Sequence, residues 1–213
     1  MTSVTQMKSA FLFAGLIALG TTGCSSSSSA KPYDWHAEWG DNLLENPEFM
    51  EKMAVYMTPD AHHEVLARQV GDWNVATKMF MAPKSEAVDM QATAECRMIL
   101  GGRFLFQEFH GTMMDEPFEG VLISGFNKLE QEYFSLWMDT WSTAVHQTTG
   151  APSADGVIRM TGKMKDFLTP DGRNWRHVIR EEGEGFVVQL YDSLPDGSEW
   201  LVMHMTYTRR PGV

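Results

Sequence analysis

From Trp73 to the end of the chain, apolar and polar residues alternate with a period of two. Residues 88–98 show it most cleanly: Val88, Met90, Ala92, Ala94, Cys96 and Met98 alternate with Asp89, Gln91, Thr93, Glu95 and Arg97. This period sends one set to each face of an extended strand, so one face is buried and the other is wet. Similar segments recur, separated by turn residues at Gly101-Gly102, 127–131, Asp155-Gly156, Pro170-Asp171-Gly172, Gly183-Glu184-Gly185 and Pro195-Asp196-Gly197. The pattern predicts about ten strands, near 73–81, 87–99, 103–110, 118–126, 132–139, 144–149, 157–164, 175–182, 185–192 and 199–209. Short strands in unbroken succession predict an antiparallel up-and-down meander. Laid flat, such a sheet would expose two edges, so curling into a β-barrel is the expected solution.

Upstream of Trp73 the period is helical. Asn46-Pro47 reads as an N-cap followed by proline at the first helical position, and Phe49, Met50, Met53 and Met57 then share one face. Thr58-Pro59-Asp60 ends that helix, and Asp60 can cap a second, short helix to about Gln69. Neither helix is long enough to stand alone, so both are expected to pack against the strands downstream.

The first 30 residues have a different pattern. Lys8 is the one charge before an uninterrupted apolar run, "AFLFAGLIALG" at 10–20, and "TTGC" leads from it into Ser25–Ser29. The run is too short to span a bilayer, which takes about 20 residues, and fits the apolar middle of a secretory signal. The arrangement resembles a bacterial lipoprotein signal, in which the chain is cut before the cysteine and its thiol is acylated. Thr21 stands where leucine is usual, and an ordinary signal peptide cut nearby is the alternative. The expected division is therefore a signal at 1–23, a serine-rich tether with an extended aromatic segment at 24–45, and a barrel domain with its helices at 46–213. Cys24 is the expected lipid anchor, placing the protein in the cell envelope facing the periplasm, with the outer membrane favoured.

Composition narrows the partners. The net charge of −11 becomes −12 once Lys8 is removed, so a phosphate backbone is a poor partner and no nucleic-acid binding is expected. With Cys24 acylated, Cys96 has no partner within the chain, which excludes an internal disulfide and a cysteine zinc knuckle. Its place on the apolar side of a strand predicts a small buried hydrophobe rather than a reactive thiol.

Three stretches carry a family resemblance: "LARQVGDWNV" at 66–75, "MILGGRFLFQEFHGTMMDEPFEGVLISGFN" at 98–127 and "LYDSLPDG" at 190–197. Together they resemble an uncharacterised bacterial family, domain of unknown function 1579, over about residues 46–210. That family looks related to calycin-type barrels such as lipocalins and nitrobindins, so the resemblance implies a calycin-like barrel and no reaction. Gly71-Asp72-Trp73 is similar to the Gly-x-Trp motif that opens the first strand of lipocalins. There an arginine near the last strand packs on the tryptophan, which would be Arg209 or Arg210 here.

Familiar catalytic motifs fail on spacing. His63-Glu64 lacks a second histidine one turn on, so no zinc pair forms and the histidines read as solvated residues at a helix start. Neither Gly183-Glu184-Gly185 nor "GVIRMTGKM" at 156–164 meets the requirements of a phosphate-binding loop, and no Gly-x-Ser-x-Gly elbow exists. No metal set and no cofactor is expected. Polar residues inside the predicted strands remain: Glu108, His110, Asp139, His146, His177 and His204. His177 shares a face with Trp175 and Ile179, opposite Arg176 and Arg180, and Asp139 comes after Trp137 on its own face at a strand end. Sixteen methionines suit either core filling or an adaptable apolar surface.

The leading expectation is a lipid-anchored barrel binding a small, mainly apolar ligand, with Trp73, Trp137, Asp139, Trp175 and His177 lining the pocket and Asp139 the candidate acid beside His177. The alternatives are an enzyme or heme protein using the Asp139/His177 neighbourhood, and a filled structural barrel without ligand. The anchor has a direct test. With Cys24 acylated, the protein partitions into detergent, and Cys24→Ser accumulates a longer precursor on gels. A variant cut normally and released into buffer would refute the lipoprotein reading.

Overall fold

Strand β1 (Gly71–Phe80) shows how the alternation is used: Trp73, Val75, Thr77 and Met79 are buried while Asp72, Asn74, Ala76 and Lys78 face out. In the computed structural model, which describes residues 34, 37, 40, 42–166 and 169–211, nine further strands repeat this division. They are β2 (Ala87–Ile99), β3 (Phe104–Met113), β4 (Glu116–Asn127), β5 (Glu132–Asp139), β6 (His146–Gly150), β7 (Ile158–Met164), β8 (Arg173–Glu182), β9 (Gly185–Ser193) and β10 (Glu199–Arg209). Each pairs antiparallel with the next, and β10 returns to β1, so the sheet is a closed ten-stranded up-and-down barrel in keeping with a calycin-like fold. Outward positions are polar and inward ones apolar, the reverse of a lipid-facing barrel. No described helix is long and apolar enough to cross a membrane.

Strand ends differ from the sequence pattern where turn chemistry misleads. The β3–β4 hairpin runs on to Met113 and Glu116, turning through Met114 and Asp115 at φ of 53° and 65°. Two left-handed residues in a two-residue turn match the twist of a hairpin, but glycine and asparagine normally supply them. Met-Asp gives no such signal.

Two helices precede the barrel: α1 (Pro47–Met57) and α2 (Ala61–Ala67). Asp60 caps α2, its Oδ1 accepting from the His62 amide at 3.0 Å, while the Asp60 amide donates to His63 Nδ1 at 3.1 Å. This overturns the reading of the histidines as solvated. His63 is buried, and His62 stacks on Phe126 at 4.0 Å with its Nδ1 3.1 Å from the Tyr133 hydroxyl. With Leu66 fully buried in the core, α2 closes the barrel end where β4 stops and β5 starts. By contrast, α1 buries no side chain fully. It is held through its last carbonyls: Met57 accepts from Arg103 at 2.6 Å, and Val55 and Thr58 accept from Lys128 at 2.6 and 2.9 Å. Cations at a helix C-terminus satisfy those carbonyls and meet the negative end of its dipole.

The closed end has a second lock. The Trp73 indole N–H donates to the Gln69 carbonyl at 2.9 Å, and the Arg209 guanidinium lies over the ring at 4.5 Å while donating to the Val70 carbonyl at 3.2 Å. Beneath the arginine sits Gly71 at φ +140°, where any Cβ would fall on Arg209 Nη1. Residues 1–46 form a separate unit, whose described part holds one 3-10 turn, Leu43–Glu45. Cys24, the signal at 1–23 and most of the tether lie outside the described residues.

The lock predicts a specific cost. Gly71→Ala combines an unfavourable φ with a collision against Arg209, and should lower stability by about 1–3 kcal/mol in urea unfolding. Adding Arg209→Ala removes the collision and leaves the backbone strain, so the double variant loses less than the sum of the singles. Additive losses would show that the two residues do not share a site.

Candidate functional site

Inside the barrel lies a cavity of about 350 Å³. Its exposed lining residues Met81, Met114 and Trp141 come from the β1–β2, β3–β4 and β5–β6 connections, so the cavity opens at the end opposite α2. Nine of the sixteen methionines line it, among them Met79, Met160, Met164, Met203 and Met205. Phe109, Phe118, Trp137, Trp141, Trp175, Phe186 and Tyr207 supply the aromatic surface. Long thioether chains fill irregular space without fixing its shape, which suits a wall that adapts to its contents.

Among the expected lining residues, Trp137, Asp139, Trp175 and His177 face this cavity. Trp73 does not. It is 1% exposed and lies in the floor, edge-on to Phe186 and Tyr207 at 5.0 and 6.5 Å. The other four form two pairs built alike. Trp137 Nε1 donates to Asp139 Oδ2 at 2.8 Å, and Trp175 Nε1 donates to His177 Nε2 at 2.6 Å. A spacing of two keeps each pair on the inner face of one strand, so the tryptophan satisfies its own polar edge and turns its ring to the cavity.

Asp139 is further engaged by the Trp141 amide, which donates to Oδ1 at 2.9 Å. Gly120, opposite Asp139 across the β4–β5 pair, gives the Trp137 indole its space, since a Cβ there would fall on Trp137 Cη2. Asp139 and His177 thus have separate partners, and among the described residues no hydrogen bond or ion pair joins them. The expected acid–imidazole pair does not form.

Burial, with a smaller contribution from the nearby His146, pushes the His177 imidazole down to about 4. Its remaining exposed surface opens on the cavity rather than on bulk water. Accepting from Trp175 requires a lone pair on Nε2, so the neutral ring carries its proton on Nδ1. Cys96 lies outside the lining; burial pushes its thiol up to about 12, and its S–H donates to Gln107 Oε1 at 3.5 Å.

The lower wall holds polar residues that the sequence pattern does not single out. Ser124, Ser135 and Thr148 sit side by side on β4, β5 and β6, with Ser135 and Thr148 hydroxyls 2.8 Å apart and Ser124 donating to the Phe134 carbonyl at 2.7 Å. Gln107 Nε2 donates to the Tyr207 hydroxyl at 3.5 Å. Thr77 is legible as an inward position, sharing the period of Trp73 and Val75. Gln69, in the link between α2 and β1, has no periodic signal.

Residues 58–209 match the model of a family described as protein of unknown function (DUF1579). The chain belongs to this family. The match runs from just ahead of α2 to the last residue of β10, so the DUF1579 segment comprises the floor helix and all ten strands, without α1. No curated protein matches the sequence.

His177 gives this DUF1579 barrel a pH signature. A folded value below the ordinary 6.5 means the native state binds this proton less readily than the unfolded chain. The neutral ring's contribution is therefore complete above about pH 6.5 and is lost as pH falls towards 4, on the order of 2–3 kcal/mol across the window. Denaturant unfolding at pH 7.5 and 4.5 should show a smaller acid loss for His177→Gln than for the native chain. Equal losses in both would refute a buried neutral ring.

Proposed function

We propose that the barrel binds a small, mainly apolar molecule in the cell envelope, held at the membrane by lipid on Cys24. The observation that carries the binding is the cavity itself: about 350 Å³, open at one end, and walled by methionine and aromatic side chains. Ligand pockets run from about 300 to 1,000 Å³ and combine an apolar wall with a few placed polar groups. A filled structural barrel would have no use for such a space. The envelope location and anchor rest on the sequence around Cys24.

The enzyme and heme readings draw less support. Asp139 accepts from the Trp137 and Trp141 N–H groups and, among the described residues, makes no hydrogen bond or ion pair with His177, so the acid–imidazole couple that an enzyme reading called for is missing. The Nε2 lone pair of His177 is likewise engaged by Trp175, so axial ligation through it would break that bond.

A neutral fluorescent probe, N-phenyl-1-naphthylamine, should bind the purified protein and be excited by energy transfer from Trp137 and Trp175. Met205→Trp, which adds bulk to the middle of the cavity, should weaken probe binding at least tenfold with the β-type circular dichroism retained. Undiminished binding would place the probe outside the barrel and remove the support for this reading. Solvent extracts of protein taken from its native envelope should also contain an apolar small molecule.

A further inference from the structure

His177 brings to the cavity a hydrogen-bond donor that the chain does not use. Trp175 Nε1 donates to its Nε2 at 2.6 Å, which fixes the orientation of the ring and leaves its proton on Nδ1. Among the described residues nothing accepts from that Nδ1–H, and no fully sealed side-chain nitrogen or oxygen lacks a partner. The Nδ1 atom therefore touches open space, and the open space that His177 borders is the cavity. An enclosed donor without a partner costs free energy, and the polar groups of native proteins are rarely left so.

The strand register shows why the wall itself offers no acceptor. Directly opposite His177 are Met160 on β7 and Leu190 on β9; Leu190 pairs in turn with Met203, and Met203 with Met79. Along β8, Trp175 lies two residues nearer the mouth and Ile179 two residues deeper, each about 7 Å away. Thioether sulfur is the one acceptor among these neighbours, and it is a weak one. Asp192, opposite Trp175, is taken up by the Arg173 guanidinium and the Ser193 amide. One oriented N–H thus stands part-way down the wall in a belt of aliphatic, thioether and indole surface.

We propose that the Nδ1–H of His177 donates to the carbonyl oxygen of an otherwise apolar, uncharged ligand. This deepens the reading of the cavity as an apolar-ligand site and rests on it. The direction of the bond selects the chemistry. Held in this tautomer, the ring gives a proton and has no lone pair left to receive one, so a ketone or ester oxygen fits where a pure donor does not. Gln69 and Thr77 also lack side-chain partners, but an amide and a hydroxyl each both donate and accept, so neither selects in this way. A carboxylate at His177 would be buried without a counterion, because among the described residues no lysine or arginine lines the cavity. With Trp175 above His177 and Ile179 below it, apolar surface continues on both sides of the bound oxygen.

The test compares 3-hexanone with 2-ethyl-1-pentene, which has the same shape with a methylene in place of the oxygen. Each displaces N-phenyl-1-naphthylamine from the native protein and from His177→Phe, which keeps a ring and removes both nitrogens. The ketone-to-alkene affinity ratio should fall about fivefold in the variant, the worth of one hydrogen bond. Nitrogen-15 spectra of the native protein, labelled at histidine, supply a second readout that needs no variant to fold. They should show His177 protonated on Nδ1, with that resonance moved by the ketone and left in place by the alkene. If both ligands bind but the ratio holds and the resonance stays put, the proposal falls while the cavity reading stands. A His177 proton found on Nε2 also overturns it. If neither the probe nor any ligand binds the native protein, the cavity reading itself fails and takes the proposal with it.

Discussion

Closure of β10 onto β1 is the constraint on which the rest of the molecule depends. Ten antiparallel strands leave no unpaired edge only if the last meets the first, and seven paired positions from Trp73↔Arg209 to Met79↔Met203 make that join. The seam begins at the floor with the Trp73–Arg209 pair. Arg209 covers the face of Trp73 and reaches the Val70 carbonyl, while Trp73 ties back to the Gln69 carbonyl. First strand, last strand and the exit from α2 are joined at one point. Gly71 is required there because the guanidinium occupies the volume a side chain would need.

A sealed floor and a circumference of ten strands together produce the cavity. Around eight strands, inward side chains just fill a barrel, and each added strand widens it. The lower layer is filled by Trp73, Phe126, Tyr133, Phe186 and Tyr207, with Leu66 of α2 plugging the base. Phe186 stacks on Tyr207 at 4.2 Å, and Phe126 meets Tyr133 at 5.1 Å. Higher up, Met79, Met160, Met203 and Met205 share the wall with Phe118, Trp137 and Trp175, and the wall no longer meets across the axis.

The pairing of Trp73 with an arginine on the last strand follows from the resemblance of Gly71-Asp72-Trp73 to the lipocalin motif, and the barrel is legible in the sequence because it depends on a period of two. The inward faces of Trp137, Asp139, Trp175 and His177 are legible for the same reason. Depth is not. Alternation tells which face a residue takes and says nothing of its height along the axis, so Trp73, expected beside a ligand, lies instead in the floor. Nor does alternation report who meets whom across the interior, and Asp139 and His177 each bond a tryptophan on their own strand. His63 reads as solvated because its burial comes from α2 docking on β4 and β5, a tertiary event with no trace in the local pattern.

The two tryptophan pairs explain how an apolar cavity tolerates a carboxylate and an imidazole in its wall. Each indole N–H would otherwise need a partner in a place poor in water, and each acceptor would otherwise stand unsolvated; at a spacing of two they satisfy one another and present ring faces inward. The polar edges that meet in these two pairs are therefore consumed internally. Gln69 at the floor and Thr77, opposite Met205 higher in the wall, are enclosed as well, and their side chains make no hydrogen bond among the described residues. The polar side chains of the wall are thus spread over its whole depth rather than gathered at one end.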